Sequence, residues 1–278
     1  MSETKVVLVT GGSSGIGQGI AQVFAENGYD VAITYGTNAE GGAQTKRRIE
    51  AIGRRCEVYQ ASMEFTDVPA KMVDQVHADF GRIDVLINNA NTDQRNSVLT
   101  VTPETVEHMM NVNFASYILV TGAAARHMVH DKIEGGIIFI ASTHGIRAYA
   151  DDFLYGGLKA AIIRASESIA LDLSPYRIRV NTIAPGATKV RESSRVMANP
   201  FEKLVPLGRM GTPRENGELA YFLCSDKSSY ITGATIRVDG GLILSGHPEG
   251  WAPAHVIDPD WTKRHYEAIM KENEEDES

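Results

Sequence analysis

The chain has few of the features that mark secreted, membrane-spanning or metal-binding proteins. Its 278 residues include only two cysteines, Cys56 and Cys224. They are too far apart in sequence for a zinc-binding pair, and we expect both to be reduced. No apolar run approaches the roughly 20 residues that a membrane-spanning helix needs. No basic segment followed by an apolar one marks a secretory signal near residue 1. The sequence thus predicts a cytoplasmic protein without a membrane or metal site.

Positive charge is also scarce. The chain has 27 Lys and Arg against 35 Asp and Glu, a formal net charge of −8. Residues 249–278 hold nine acidic and three basic residues, so this segment carries −6 and the rest of the chain −2. Phosphate contacts need a basic face, so the composition argues against nucleic-acid binding. The charge also separates a nearly neutral body from an acidic C-terminal segment.

Short apolar runs alternate with longer amphipathic stretches along the body. The runs predict strands at residues 5–10, 31–35, 56–60, 83–87, 136–141, 177–183 and 235–238. The amphipathic stretches predict helices at 16–27, 40–52, 68–80, 103–129 with one interruption, 153–173 and 215–224. Repeated strand–helix units of about 30 residues indicate a parallel sheet with right-handed crossovers and helices on both faces. We therefore expect an α/β fold with one doubly wound domain over residues 1–246 and an extension over 247–278.

A glycine-rich loop follows the first predicted strand directly. It reads Thr10-Gly11-Gly12-Ser13-Ser14-Gly15-Ile16-Gly17. Gly11 would allow a tight turn, Gly15 would let the backbone approach a pyrophosphate, and Gly17 would let helix and strand pack closely. The N-terminus of the next helix would offer free N–H groups to phosphates. Alone, such a loop could be a structural turn, but its strand–turn–helix context favours a dinucleotide site.

Tyr155 and Lys159 are four residues apart near the start of a predicted helix, so they share a helix face. A nearby ammonium favours the phenolate and lowers the pKa of a tyrosine, which can then exchange a proton with a carbonyl or alcohol oxygen. Ser142 follows the fifth predicted strand, where ligands bind in open α/β sheets. Taken singly, the Tyr–Lys pair is more often a solvated helix face, and the serine is more often a loop or capping residue.

Together these features resemble the short-chain dehydrogenase/reductase family in its non-extended branch, over about residues 4–245. The glycine loop matches the family pattern TGxxxGxG, and Asn88-Asn89-Ala90 matches most of NNAG. Asn113, Ser142, Tyr155 and Lys159 match the catalytic positions at family spacing. Pro185-Gly186 matches the turn after the sixth strand. The chain looks most similar to the group of glucose 1-dehydrogenases and 3-oxoacyl-carrier-protein reductases.

The resemblance implies a Rossmann fold and an NAD(P)-dependent oxidoreductase that interconverts a secondary alcohol and a carbonyl by hydride transfer. Tyr155 would be the general acid or base. Lys159 would hold the nicotinamide ribose and lower the Tyr155 pKa, Ser142 would orient the substrate oxygen, and Asn113 would hold a water for a proton relay. Within the family, the acceptor could instead be a sugar, a 3-oxoacyl group or a steroid. A non-catalytic cofactor-binding sensor or scaffold is the alternative outside enzymes.

The resemblance also implies which residues contact the cofactor. They are Gly11, Ser13, Ser14, Gly15, Ile16, Gly17, Tyr35, Gly36, Thr37, Asn38, Ser62, Met63, Asn89, Ala90, Asn91, Tyr155, Lys159, Pro185, Gly186 and Thr188.

The sequence departs from the family pattern at four places. Asn91 replaces a glycine, Ser62-Met63 replaces Asp-Val, and Leu158 replaces a small residue. Val190 stands where a threonine often holds the carboxamide, and we expect Thr188 to substitute for that threonine.

No acid follows the second predicted strand, where an acid would hydrogen-bond the adenosine ribose and repel a 2′-phosphate. Thr37 and Asn38 could donate to that phosphate, and Lys46 and Arg47 lie further along, so we expect NADP(H) to be favoured over NAD(H). The resemblance suggests a small-molecule alcohol or carbonyl substrate and a homotetramer, or else a dimer.

Two further segments are candidates for contact with the substrate. His144 and Tyr149 could line the pocket, whereas Lys189, Arg191 and Arg195 are either anion-binding lid residues or ordinary solvated charges. Apolar residues within 247–270 predict packing on the body or a neighbouring subunit, either at the substrate entrance or remote from it.

Overall fold

The structure, a computed structural model, describes residues 4–95, 97–190 and 204–244. Seven strands alternate with seven helices along these residues. The strands are β1 Val6–Val9, β2 Asp30–Tyr35, β3 Cys56–Gln60, β4 Val85–Asn88, β5 Gly136–Ile140, β6 Arg179–Pro185 and β7 Thr235–Val238. The helices are α1 Gly15–Glu26, α2 Ala39–Ala51, α3 Val68–Phe80, α4 Pro103–Met110, α5 Ser116–His130, α6 Phe153–Leu173 and α7 Pro213–Cys224.

All seven strands form one parallel sheet in the order β3-β2-β1-β4-β5-β6-β7. The central strand β1 pairs on one side with β2 and on the other with β4, so Val7 lies opposite both Val31 and Val85. The strand order reverses at this point, and a crevice opens there between the loops at the carboxyl ends of the strands. The predicted α/β fold with a single doubly wound parallel sheet is confirmed.

Two apolar cores lie on opposite faces of the sheet. Leu8 of β1 faces the core formed with α3, α5 and α6, whereas Val7 and Val9 face the core formed with α1, α2 and α7. Both faces are covered, so β1, β4 and β5 are buried at every position. This double burial is why their sequences are continuously apolar rather than alternating.

The predicted elements are all present, with shifts of one or two residues at most ends. The main difference is in the long stretch 103–129, where the predicted interruption is a π-helical turn at Asn111–Ala115 between α4 and α5. Such turns occur mostly inside α-helices and often at functional sites. This turn contains Asn113, one of the predicted catalytic residues.

Some predictions fall outside the described residues. They concern the extension 247–278, the domain boundary at 246, and Arg191 and Arg195. Within the part of the chain that the structure describes, no helix is long and apolar enough to cross a membrane. No cluster of His, Cys, Asp and Glu suited to a metal ion occurs there either.

Candidate active site

A cleft of about 630 Å³ lies at the carboxyl edge of the sheet. Its middle is formed by the loops after β1 and β4, one end by residues after β2 and β3, and the other end by residues after β5 and β6 together with α6. We call these the far end and the reacting end. The predicted site residues that line the cleft are Gly11, Ser13, Ser14, Gly15, Ile16, Gly36, Thr37, Asn38, Ser62, Met63, Asn89, Ala90, Asn91, Ser142, Tyr155, Lys159, Pro185 and Gly186.

The glycine loop turns sharply between β1 and α1. Gly11 has a φ of 66°, and its N–H donates to the Thr34 hydroxyl at 3.0 Å. Gly17 lies behind the loop and does not line the cleft. A side chain at this position would overlap the Gly11 carbonyl oxygen and the Asn89 amide. Its role is therefore the close packing expected from the sequence, without a direct contact to a ligand.

The N-terminus of α1 opens into the cleft. Its N-cap residue, Ser14, has extended backbone angles and makes no side-chain capping hydrogen bond. The first N–H groups of a helix have no intrahelical acceptor and carry partial positive charge. Since Ser13, Ser14, Gly15 and Ile16 line the cleft, these N–H groups are available to an anion such as a diphosphate.

The segment after β4 is tied to the glycine loop. The Thr10 hydroxyl accepts from the N–H groups of Asn89 and Ala90 at 2.9 and 3.1 Å. The Asn89 amide donates to the carbonyl oxygens of Thr10 and Gly11. Asn91, which replaces the family glycine, does not have a positive φ, so its side chain causes no backbone strain in this turn.

Ser142, Tyr155 and Lys159 meet at the reacting end. Ser142 and Tyr155 both line the cleft at this end, and the Ser142 hydroxyl group acts to lower the pKa of Tyr155. Lys159 is only 1% exposed; its Nζ donates to the Ile140 carbonyl oxygen at 3.0 Å and lies 5.5 Å from the centre of the Tyr155 ring. The family spacing therefore brings these three side chains together as predicted.

The electrostatics of this group differ from the expectation that Lys159 lowers the pKa of Tyr155. Burial raises the pKa of Tyr155 to about 12, and the negative charge of Asp93 adds to this rise, whereas the hydrogen bond with Ser142 opposes it. Burial also lowers the pKa of Lys159 to about 7, against the influence of Asp93. The direction for Tyr155 is thus the opposite of the expected one, because the burial of its own side chain outweighs the other influences on its pKa.

Asn113 lies behind the cleft instead of lining it. Its side chain is fully buried and makes a reciprocal pair of hydrogen bonds with the backbone of Thr92. Asn113 Oδ1 accepts from the Thr92 N–H at 2.9 Å, and Asn113 Nδ2 donates to the Thr92 carbonyl oxygen at 2.8 Å. Asn113 therefore anchors the cleft wall after β4, and its side chain is occupied by these bonds instead of reaching Lys159.

The far end is open and polar. Gly36, Thr37 and Asn38 line it, and Asn38 Oδ1 also accepts from the Gly41 N–H to cap α2. The two cations expected to assist here face other partners, since Lys46 lies 3.0 Å from Glu57 and Arg47 lies 2.8 Å from Glu40. Among the residues after β2, Thr37 and Asn38 supply polar side chains to this end of the cleft, whereas Lys46 and Arg47 do not line it.

Two predicted cofactor residues, besides Gly17, also do not line the cleft. Tyr35, the last residue of β2, lies against α2 at Gly42. Thr188 donates its hydroxyl hydrogen to the Gly186 carbonyl oxygen at 3.2 Å, so it does not replace the family threonine as expected. Val190 lines the cleft at that level.

Several cleft residues were missed by the sequence reasoning. They are Thr34, Ala61, Glu64, Thr92, His108, Val112, Ile140, Ala141 and Val190. Most present backbone or small side chains and had no motif to mark them. Glu64 and His108 are different, since their side chains pair at 3.2 Å across the far end. The position of Glu64, two residues after Ser62, was the available signal that a carboxylate is still present near the place of the missing Asp.

The residues of the cleft fit a nicotinamide dinucleotide. Its volume lies within the usual range for small-molecule sites, about 300–1,000 Å³. The uncapped α1 terminus suits the diphosphate, the polar residues at the far end suit an adenosine ribose, and Tyr155 and Lys159 mark the place for the reacting ring. The arrangement can hold the cofactor across the switch point of the sheet.

Comparisons with known proteins agree with this geometry. Residues 11–243 match the family model described as enoyl-(acyl carrier protein) reductase. A 3-oxoacyl-[acyl-carrier-protein] reductase from Chlamydia muridarum is 36% identical over 86% of this chain and 97% of its own length. The crystal structure of an acetoin dehydrogenase from Salmonella typhimurium superposes with a TM-score of 0.83 at 30% identity, covering 88% of this chain and 98% of that one.

A short-chain dehydrogenase from Burkholderia cenocepacia, solved in complex with NADP, has a TM-score of 0.79 at 33% identity and covers 86% of this chain and 97% of its own. The matches span the sheet, the glycine loop and the Ser–Tyr–Lys group, so the chain is an oxidoreductase with a nicotinamide cofactor and a member of the short-chain dehydrogenase/reductase family.

Proposed function

We propose that the protein interconverts a secondary alcohol and a carbonyl compound with NADP(H), using Tyr155 as the general acid or base. The observation that carries this proposal is that Ser142, Tyr155 and Lys159 line the same end of a cleft that begins at the glycine loop, with Lys159 Nζ 5.5 Å from the centre of the Tyr155 ring. Two hydroxyl groups that converge on one point can hold a single carbonyl or alcohol oxygen between them. A buried position strengthens both bonds, because water does not compete there.

The protein's part in the reaction is to position the substrate and move one proton. The bound nicotinamide supplies or accepts the hydride. Ser142 donates a hydrogen bond to the substrate oxygen, and Tyr155 gives its proton to the same oxygen during reduction. Since the Tyr155 pKa is raised to about 12, the phenol keeps its proton at neutral pH and is ready to act as an acid. Oxidation needs the Tyr155 phenolate as the base, and the protonated form of Lys159, next to the Tyr155 ring, favours that phenolate.

The preference for NADP(H) rests on the far end. Residues 35–38 contain no carboxylate that would repel a 2′-phosphate, and Thr37 lines the cleft with a hydroxyl group. The relative from Burkholderia cenocepacia was solved with NADP, which supports the same choice here. We also propose a cytoplasmic homotetramer, with a dimer as the alternative, which light scattering would distinguish.

Substitution of Tyr155 by Phe tests the central step. Removing the phenolic oxygen leaves the ring in place, so we expect the variant to bind NADPH with unchanged affinity and to lose turnover by about 10²–10⁴-fold. NADPH fluorescence gives the affinity, and the absorbance of the reduced nicotinamide with a panel of ketones, 3-oxoacyl and enoyl thioesters gives the rate. Tyr149→Phe is the control, because it removes a nearby phenolic oxygen outside the Ser142–Tyr155 pair. Near-normal carbonyl reduction by Tyr155→Phe would refute the assignment.

A further inference from the structure

Asp152 occupies a position where aspartate normally caps a helix, but it does not cap. It is the N-cap residue of α6, the helix that carries Tyr155 and Lys159, and its side chain makes no capping hydrogen bond. Aspartate at an N-cap usually stabilises a helix by about 0.5–2 kcal/mol. The residue is 4% exposed, so the carboxylate is desolvated without that gain. A local preference left unused in this way often indicates a functional constraint.

The carboxylate is directed to His144 instead. Asp152 Oδ2 lies 2.9 Å from His144 Nδ1, and Asp152 Oδ1 is buried without a partner among the described residues. Gly156, directly after Tyr155, leaves room for the pair, since a side chain there would come within 2.8 Å of Asp152 Oδ2 and 2.9 Å of the His144 carbonyl oxygen. His144, Asp152 and Gly156, which lie around Tyr155, thus either form this contact or leave room for it.

The imidazole is fixed next to the reacting group. The backbone N–H of His144 donates to the Ser142 hydroxyl oxygen at 3.1 Å. The His144 ring stacks on Tyr149 with 4.2 Å between ring centres, and it meets the Tyr155 ring edge-on at 5.7 Å. Ser142 and Tyr155 line the cofactor cleft, but His144 does not. It therefore flanks Tyr155 outside the cofactor cleft, on the side where we place the substrate.

The chemistry of the pair determines what the free ring nitrogen offers. An ionised carboxylate only accepts hydrogen bonds, so His144 Nδ1 carries the hydrogen. In the neutral ring, Nε2 then presents a lone pair and acts as an acceptor. Such an acceptor fits a hydroxyl group on the substrate and gives no bond to a second carbonyl oxygen.

We propose that His144, oriented by Asp152, is a specificity-determining residue that accepts a hydrogen bond from a hydroxyl group near the reacting carbonyl, so that the enzyme prefers hydroxyketones. This inference rests on the proposed function, because it names the substrate class of the same site. His144 contacts the substrate, whereas Asp152 is a positioning residue.

Three small ketones with the same carbon chain test the preference in the holoenzyme. They are 3-hydroxy-2-butanone, 2,3-butanedione and 2-butanone, each reduced with NADPH. We expect kcat/KM to be highest for the hydroxyketone, by about 10- to 100-fold over 2-butanone, the value of one buried hydrogen bond. His144→Phe keeps the ring contacts and should remove this advantage mainly through KM. His130→Gln is the control, since it alters an exposed imidazole that also pairs with an aspartate.

Asp152→Asn gives a second, independent measurement. Nitrogen NMR of the labelled holoenzyme reports which His144 nitrogen carries the hydrogen, and we expect Nδ1 in the unsubstituted protein. Where the asparagine amide donates to Nδ1, the hydrogen moves to Nε2, and the preference should shift from the hydroxyketone to the diketone. In every variant, we expect the hydroxyketone to be preferred when His144 Nδ1 carries the hydrogen, and the diketone to be preferred when Nε2 carries it.

The results separate this inference from the proposed function. Equal reduction of all three ketones by the unsubstituted enzyme, or a hydrogen found on His144 Nε2 there, would overturn the hydroxyketone proposal and leave carbonyl reduction intact. Failure to reduce any carbonyl in the panel, with NADPH still bound, would instead overturn the proposed function, and the NMR result would still decide the orientation of His144.

Discussion

The two ends of the cleft are built in different ways. At the reacting end, Lys159 is almost fully buried and bonded to the Ile140 carbonyl. Behind the neighbouring cleft wall after β4, Asn113 is fully buried and bonded to both polar groups of Thr92. At the far end, polar side chains pair with one another in partial contact with solvent. His108 and Glu64 are 36% and 42% exposed in their side chains.

This difference indicates which side chains of the cleft can be replaced without loss of stability and which cannot. A buried side chain that satisfies backbone groups cannot be exchanged without leaving a donor or acceptor unpaired. An exposed pair contributes about 0–1 kcal/mol and can be replaced with little loss. Of the departures from the family pattern, Ser62-Met63 lies at the far end, Asn91 in the middle, and Leu158 and Val190 at the reacting end, where the Ser–Tyr–Lys group itself is intact.

The largest expected effect comes from breaking the buried anchor. Asn113→Ala removes both bonds to Thr92, and we expect it to lower the free energy of unfolding by about 2–3 kcal/mol, the cost of unpaired backbone groups that are partly reached by water. Glu64→Ala is the matched variant at the far end and should cost less than about 1 kcal/mol. Urea denaturation measures both. Equal losses of the free energy of unfolding in the two variants would contradict the proposed difference between buried side chains and the exposed far end.

A charge placed at the far end should alter the choice of cofactor without disturbing the reacting end. Thr37→Asp places a carboxylate where the 2′-phosphate is expected, so NADPH affinity should fall about tenfold and NADH affinity should hold or rise. Thr37→Asn changes the side chain without adding charge and serves as the control. Fluorescence titration with both cofactors gives the ratio. If Thr37→Asp leaves the ratio unchanged, the 2′-phosphate does not lie beside Thr37.

Much of this comparison could be predicted from the sequence. The buried strands and the glycine loop were sufficient for the fold, because each reflects a strict physical requirement. The family resemblance identified Ser142, Tyr155 and Lys159 for the reacting end. Thr188 could not be placed in this way, since its hydroxyl turns to the Gly186 carbonyl, a choice set by the loop conformation. The partners of Lys46 and Arg47 could not be predicted for a similar reason, because Glu57 and Glu40 come from elsewhere in the chain or the helix.

The pairing of His144 with Asp152 was also beyond the sequence. Both residues were visible, but an aspartate before a helix predicts a cap. Only the packed structure shows that the side chain turns away from the helix towards the imidazole. The same limit applies to the protonation of Lys159 and Tyr155, since burial dominates both pKa values.

A final expected effect is a change in how stability depends on pH, and it tests the burial of Lys159 directly. Burial lowers the pKa of Lys159 from 10.5 in the unfolded chain to about 7 in the folded one. Between these values the unfolded chain binds the extra proton, so this group makes the cofactor-free protein more stable as the pH rises from 7 towards 10. Below pH 7 the lysine is protonated in both states and its contribution is constant.

Lys159→Met removes the group and keeps its length, so the stability of the unsubstituted protein relative to this variant should increase between pH 7 and 9. The raised pKa of Tyr155 affects stability only above about pH 10, outside this window, and the buried cysteines are common to both proteins. A relative stability that is flat or falls over this range would show that Lys159 keeps its ammonium in the folded protein, and that the reacting end is more hydrated than its burial indicates.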